Sequence, residues 1–202
     1  MNINVMDLIE EEKIYPIVRS KNTQNAIDIA HALIEGGIKI MEIVVENPSL
    51  YDAIDEISKD AVVCAGGVIT QQQAEQAICS GAKLFSSPIY QMNMIKISKN
   101  RKMPFIAGAS TPNEAYEAWQ ARVPLIKIFP VTALGGVQYI QDMLRPMPFL
   151  NIMPMGHIKL SEVPAYVSAG AKAVGVGRDF YDNLSFDEIT KRAKNILNTI
   201  KA

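Results

Sequence analysis

The sequence predicts an α/β protein of one domain, folded as a (β/α)8 TIM barrel with parallel strands. Three observations lead there. Short, nearly continuous apolar runs rich in Val, Ile and Phe recur along the chain, as strands buried on both faces do. Amphipathic segments of helical period separate them. The chain has 202 residues, enough for about one domain at roughly 150 residues each. Eight minimal βα units suit a closed barrel, while an open doubly wound sheet is the alternative that the same alternation allows.

The elements follow in order. Residues 1–12 are expected to form an N-terminal helix ahead of the barrel. The strand runs are Ile14–Val18, Ile38–Val45, Ala61–Ala65, Lys83–Ser87, Pro104–Ala107, Leu125–Phe129, Ile152–Pro154 and Ala173–Val176. Helical segments include Asn25–Glu35, Gln72–Ser80, Asn113–Arg122 and Asp187–Ile200. Thr111-Pro112-Asn113-Glu114 offers an N-cap threonine, a proline at the first helical position and a glutamate at the third. Thr70 with Gln73 and Ser185 with Glu188 repeat the capping-box spacing. Gly36-Gly37, Gly81 and Gly170 each close a helical stretch just before a strand. No linker, low-complexity stretch or second domain is visible, so residues 1–202 read as one unit.

Composition excludes several classes of function. Hydrophobic residues make up 49% and charged residues 20%, which is a globular composition and not a disordered one. A net charge of −1 lacks the basic excess of a nucleic-acid binder. No apolar run reaches the roughly 18 residues of a membrane span, and the start MNINVMDLIEEEK is acidic where a secretory leader is basic. Cys64 and Cys79 form no CxxC, so a reduced, cytoplasmic protein is expected. His31 and His157 are the only histidines, and the carboxylates form no obvious ligand cluster; no metal site is expected.

A barrel carries its chemistry at the C-terminal strand ends and the loops beyond them. The polar residues there are Arg19, Glu42, Glu46, Ser86, Ser87, Lys127, Thr132, His157 and Arg178. Lys127 sits in Leu125-Ile126-Lys127-Ile128-Phe129-Pro130 and shares a face with Leu125 and Phe129. Burial among apolar groups disfavours an ammonium and leaves a neutral amine for Schiff-base chemistry. A lysine snorkelling to solvent is the equally weighted alternative. Glu42 lies in an apolar run with Ile40 and Val44 on its face. A buried carboxyl suits proton transfer, and a structural ion pair is the plain alternative; either needs a partner. Arg19 ends the first strand, where a guanidinium suits bidentate binding of a carboxylate or simply faces solvent. Gly135-Gly136, Met155-Gly156-His157 and Gly175-Val176-Gly177-Arg178 follow the last three strands. Glycine-rich loops there are the usual phosphate site of barrels, or ordinary turns.

Pro16-Ile17-Val18-Arg19, Glu35-Gly36-Gly37-Ile38 leading to Met41-Glu42-Ile43, Ala65-Gly66-Gly67-Val68, Ser86-Ser87-Pro88 and Lys127-Ile128-Phe129-Pro130 occur in this order, followed by Gly135-Gly136 and Gly175-Val176-Gly177. So arranged, the chain resembles the 2-keto-3-deoxy-6-phosphogluconate (KDPG) and 4-hydroxy-2-oxoglutarate (KHG) aldolases from Ile14 to about Ile200. The glutamate of strand 2 and the K-x-F-P segment of strand 6 are the specific matches. The resemblance implies a class I aldolase, a homotrimer acting on a small-molecule 2-keto acid, with no metal or other cofactor. It implies that Lys127 forms a Schiff base, Glu42 moves protons and Arg19 holds the keto-acid carboxylate. Pro88 and Phe129 would line the pocket, and the loops containing Gly156, His157, Gly177 and Arg178 would bind the rest of the substrate.

The departures lie in the recognition shell. Gly67 stands where the family usually has threonine, Met155 and His157 fall within the usual P-T-G-G, and Arg178 replaces a serine. Glu46 stands where some members carry an arginine, and its charge is unfavourable near an anionic substrate. Arg178 offers a charged donor in place of the lost hydroxyls, or fills the pocket. A barrel that acts on a different 2-keto acid, or binds a metabolite without turnover, is the competing reading. A phosphate-binding isomerase is weaker, because the phosphate loop is degraded.

Overall fold

The computed structural model describes residues 4–201, so the first three positions of the expected N-terminal helix lie outside the described residues. Helix α1 covers Val5–Glu12, and the Asn4 side chain accepts from the backbone N–H of Met6. The strands are β1 Ile14–Val18, β2 Ile40–Val44, β3 Val62–Gly66, β4 Leu84–Ser86, β5 Phe105–Ala109, β6 Leu125–Ile128, β7 Ile152–Pro154 and β8 Val174–Val176. Between and after them run α2 Thr23–Glu35, α3 Leu50–Ile57, α4 Gln71–Cys79, α5 Met92–Arg101, α6 Pro112–Gln120, α7 Val131–Leu134, α8 Gly136–Leu144, α9 Val163–Ser168 and α10 Phe186–Lys201. Two short 3-10 turns, Leu160–Glu162 and Arg178–Phe180, precede α9 and α10.

All strand pairs are parallel, in the order β7-β6-β5-β4-β3-β2-β1-β8. A parallel bridge between Met155 and Gly175 brings the two ends together. The Lys172 N–H, donating to the Ile152 carbonyl at 3.0 Å, adds to it. The sheet is thus a nearly closed barrel and not the open alternative. Strand β2 begins at Ile40 and not at Ile38, because Gly37 turns the chain at φ 96° after α2. The expected boxes at Thr70–Gln73 and Thr111–Glu114 both form.

Alternation along the strands divides the apolar residues into two cores. Outward residues such as Met41, Ile43, Val63, Phe85, Ile126 and Val174 pack under the helices. Inward residues Tyr15, Ile40, Cys64, Leu84, Ile106, Leu125 and Met153 fill the barrel, and Leu8 and Ile9 of α1 join them. Helix α1 therefore seals the end where the strands begin, and leaves chemistry to the other end. The stretch Met143–Leu150 is divided. Met143 and Leu150 join the outer core, whereas Phe149 is exposed and its ring lies 4.5 Å from that of Trp119. Among the described residues, no helix is long and apolar enough to cross a membrane.

Candidate active site

The inward positions nearest the C-terminal strand ends are Glu42 on β2, Gly66 on β3, Ser86 on β4, Gly108 on β5 and Lys127 on β6. Register places them in one ring: Ile17 pairs with Glu42, Val44 with Gly66, and Gly108 with Lys127. Lys127 Nζ lies 3.3 Å from Glu42 Oε1. Their side chains are 9% and 1% exposed, so the lysine does not snorkel to water. Each charge needs the other, because removing one partner of a buried pair leaves an uncompensated charge. The Ser86 hydroxyl, fully buried, donates to Glu42 Oε2 at 2.8 Å. The carboxylate is thus held at both oxygens, one by an amine and one by a hydroxyl.

Two glycines make room for this arrangement. A Cβ at Gly66 would overlap the Glu42 carboxylate, and one at Gly108 would overlap the Pro88 backbone. The loop after β4 therefore lies across β5 and brings Pro88, half-buried, to the mouth. The Phe129 ring centroid is 5.6 Å from Lys127 Nζ, within cation–π reach. Lys127, Glu42 and Phe129 are thus brought together.

Beneath this ring the barrel stays partly polar. Burial pushes the Cys64 thiol well above its usual range, and the negative charge of Glu42 adds to the effect. Burial pushes the Tyr15 phenol up likewise, with Cys64 and Glu42 contributing. Neither group ionises readily there, so both serve as neutral polar neighbours of the pair.

The remaining expected site residues lie farther out. Arg19 is exposed and pairs with Glu46 Oε1 at 3.2 Å. Its backbone N–H donates to the Tyr181 hydroxyl at 3.0 Å. Arg19 and Arg178 line one cleft with Asn25, Asp28 and Tyr181. That cleft does not include Lys127 or Glu42 among its walls. Gly67 adopts φ 76°, where a β-branched threonine would be strained, so the backbone suits the glycine that is present. Gly156 has φ 110°, and its carbonyl accepts from the Thr132 hydroxyl at 2.6 Å. His157 is exposed at φ 56°, at the rim and outside the buried ring. Gly177 opens the turn that carries Arg178, which is exposed.

Met155 takes an inward position. It is fully buried, joins the inner core and occupies the space that a Cβ at Gly175 would need. Its place after β7 reads as a loop position within the altered P-T-G-G; alternation from Met153 is the signal that it points inward. The part played by Ser86 was missed too. It stood among the polar strand-end residues, and its inward phase after Leu84 was the clue. Among the described residues, no group of His, Cys, Asp and Glu is arranged to hold a metal ion.

The family model described as KDPG and KHG aldolase matches residues 5–193. A 2-dehydro-3-deoxy-phosphogluconate aldolase of Treponema pallidum is 29% identical over 169 residues, covering 82% of this chain and 80% of the relative. One of the same name from Haemophilus influenzae is 27% identical over 205 residues, covering 98% and 97%. The structure of KDPG aldolase from Legionella pneumophila, with pyruvate captured as a covalent carbinolamine intermediate, superposes with a TM-score of 0.87 at 21% identity, covering 97% of this chain and 99% of that one.

Proposed function

The chain belongs to the KDPG and KHG aldolase family and is a carbon–carbon lyase; on that premise we propose that it cleaves a 2-keto acid to pyruvate and an aldehyde through a Schiff base on Lys127. The observation that carries this reading is the buried contact of 3.3 Å between Lys127 Nζ and Glu42 Oε1 at the open end of the barrel. An amine in that setting passes its proton to the neighbouring carboxylate and attacks the C2 carbonyl. Glu42 protonates the departing hydroxyl of the carbinolamine, and water leaves as the imine forms. The iminium is the electron sink for cleavage. Glu42 takes the C4 hydroxyl proton, the C3–C4 bond breaks, its electron pair enters the enamine and the aldehyde departs. The same carboxyl returns the proton to C3, and hydrolysis releases pyruvate. Phe129 and Pro88 wall the pocket. Arg19 holds the keto-acid carboxylate after exchanging Glu46 for it.

A second reading concerns substrate length. Met155 fills the interior beside Gly175, and Gly67 supplies no hydroxyl. Both features support a shorter, non-phosphorylated 2-keto acid over KDPG itself. A homotrimer, part of the same proposal, would have the exposed stack of Tyr116, Trp119 and Phe149 as an apolar contact. Borohydride trapping with pyruvate, read by intact mass and peptide mapping, tests the reaction. One reduced pyruvate on Lys127, absent in Lys127→Ala, is the expected result. A folded protein that gains no adduct in excess pyruvate would overturn the Schiff-base reading.

A further inference from the structure

Inside a largely apolar barrel, a buried hydroxyl needs a reason. Ser86 is fully buried at an inward position of β4, where its neighbour two residues earlier is Leu84. Its backbone is fixed on both sides. The Ser86 carbonyl accepts from Val68 N–H at 2.9 Å, and Ser87 N–H donates to the Ile106 carbonyl at 3.0 Å. Its hydroxyl donates to Glu42 Oε2 at 2.8 Å, the oxygen that Lys127 does not touch. Behind it stands the Cys64 thiol, and beside that the Tyr15 hydroxyl, which has no partner of good hydrogen-bond geometry. The polar line runs Lys127, Glu42, Ser86, Cys64, Tyr15.

We infer that Ser86 is a positioning residue for Glu42, holding the carboxylate in place through the whole reaction. The reason lies in the fate of the other contact. Once Lys127 Nζ is bonded to substrate carbon, it loses protons and changes direction, so its hold on Glu42 changes at every step. The Ser86 hydrogen bond does not involve the substrate. It keeps one carboxylate oxygen fixed while the other exchanges protons with the carbinolamine, the C4 hydroxyl and C3. Gly66 completes the fit, because any side chain there would push Glu42 off this donor.

This inference rests on the proposed Schiff-base reaction for its kinetics, and its test separates the two. Thr and Val have nearly the same shape and differ by the hydroxyl, so their packing costs at position 86 cancel. Ser86→Val is expected to lower kcat about tenfold or more relative to Ser86→Thr, the scale of one charge-assisted hydrogen bond. KM should differ by less than about twofold, so that the loss falls on kcat. Equal kcat in two folded variants would overturn the role. Crystal structures of both variants give a readout that needs no turnover: Glu42 Oε2 turns away from position 86 in the Val variant and keeps its place in the Thr variant. If the wild type traps no keto acid, the Schiff-base reading fails, and the crystal comparison alone decides whether Ser86 holds Glu42. Glu42 Oε2 unmoved in the Val variant would refute the inference.

Discussion

Lys127 and Glu42 are 85 residues apart in sequence and 3.3 Å apart at their charged atoms. Strands β2 and β6 stand on opposite sides of the barrel, so the contact spans its interior. It uses the inward faces of two strands whose outward faces lie under the helices. Closure of the sheet is what makes the contact available.

Replacing Glu42 by glutamine keeps the shape and an acceptor for Ser86, and removes the proton carrier. We expect kcat to fall by about 10²- to 10⁴-fold, with pyruvate still trapped on Lys127, though slowly. Steady-state kinetics together with timed borohydride trapping measure both quantities. Undiminished turnover would remove Glu42 from the proton-transfer role.

Gly66→Ala tests the space around the carboxylate. The added Cβ overlaps Glu42, so the glutamate must move. A displacement of about 1 Å costs on the order of 100-fold in rate. The expected variant is folded, slow, and improved little by higher substrate concentration. Thermal unfolding and a full Michaelis–Menten curve distinguish this from loss of structure.

Glu46→Gln addresses recognition of the substrate acid. The Arg19 guanidinium is paired with Glu46 at 3.2 Å and half exposed. Such pairs are worth about 0–1 kcal/mol, so freeing the arginine should lower KM for the 2-keto acid up to about fivefold with kcat unchanged. An increase in KM would mean that Glu46 helps to bind the substrate.

Glu114 provides a pH test of stability outside the site. The Ser110 backbone N–H, at 2.8 Å, is the main cause that holds its carboxyl below the usual 4.5, and the Thr111 and Ser110 hydroxyls and the Thr111 backbone N–H add to it. A lowered folded value means stability that is present above the unfolded value and lost as pH falls through the folded one. Glu114→Gln should therefore cost roughly half a kcal/mol near neutral pH, after solvent screening. The difference between variant and wild type should vanish as the pH is taken from about 4.5 downward. Melting curves at several pH values measure this.

The repeat of strands and helices was legible because each strand is buried on both faces and each helix on one, which writes two different periods into the chain. Helix starts at Thr70 and Thr111 were legible because a capping box is a local hydrogen-bond pattern. Lys127 and Glu42 stood out as charges inside apolar runs. Arg178 and His157 were named for their place after strands β8 and β7, and both prove exposed at the rim.

Residue order alone thus carried the barrel and its two inward charges, since alternation and capping act between neighbours in the chain. It could not carry the pairing of Arg19 with Glu46, the Ser86 hydroxyl on Glu42, or Met155 filling the space beside Gly175. Those contacts depend on strand register and on closure between β7 and β8. Both are set by how the whole barrel fills its interior, and no short stretch of sequence encodes a distance across it.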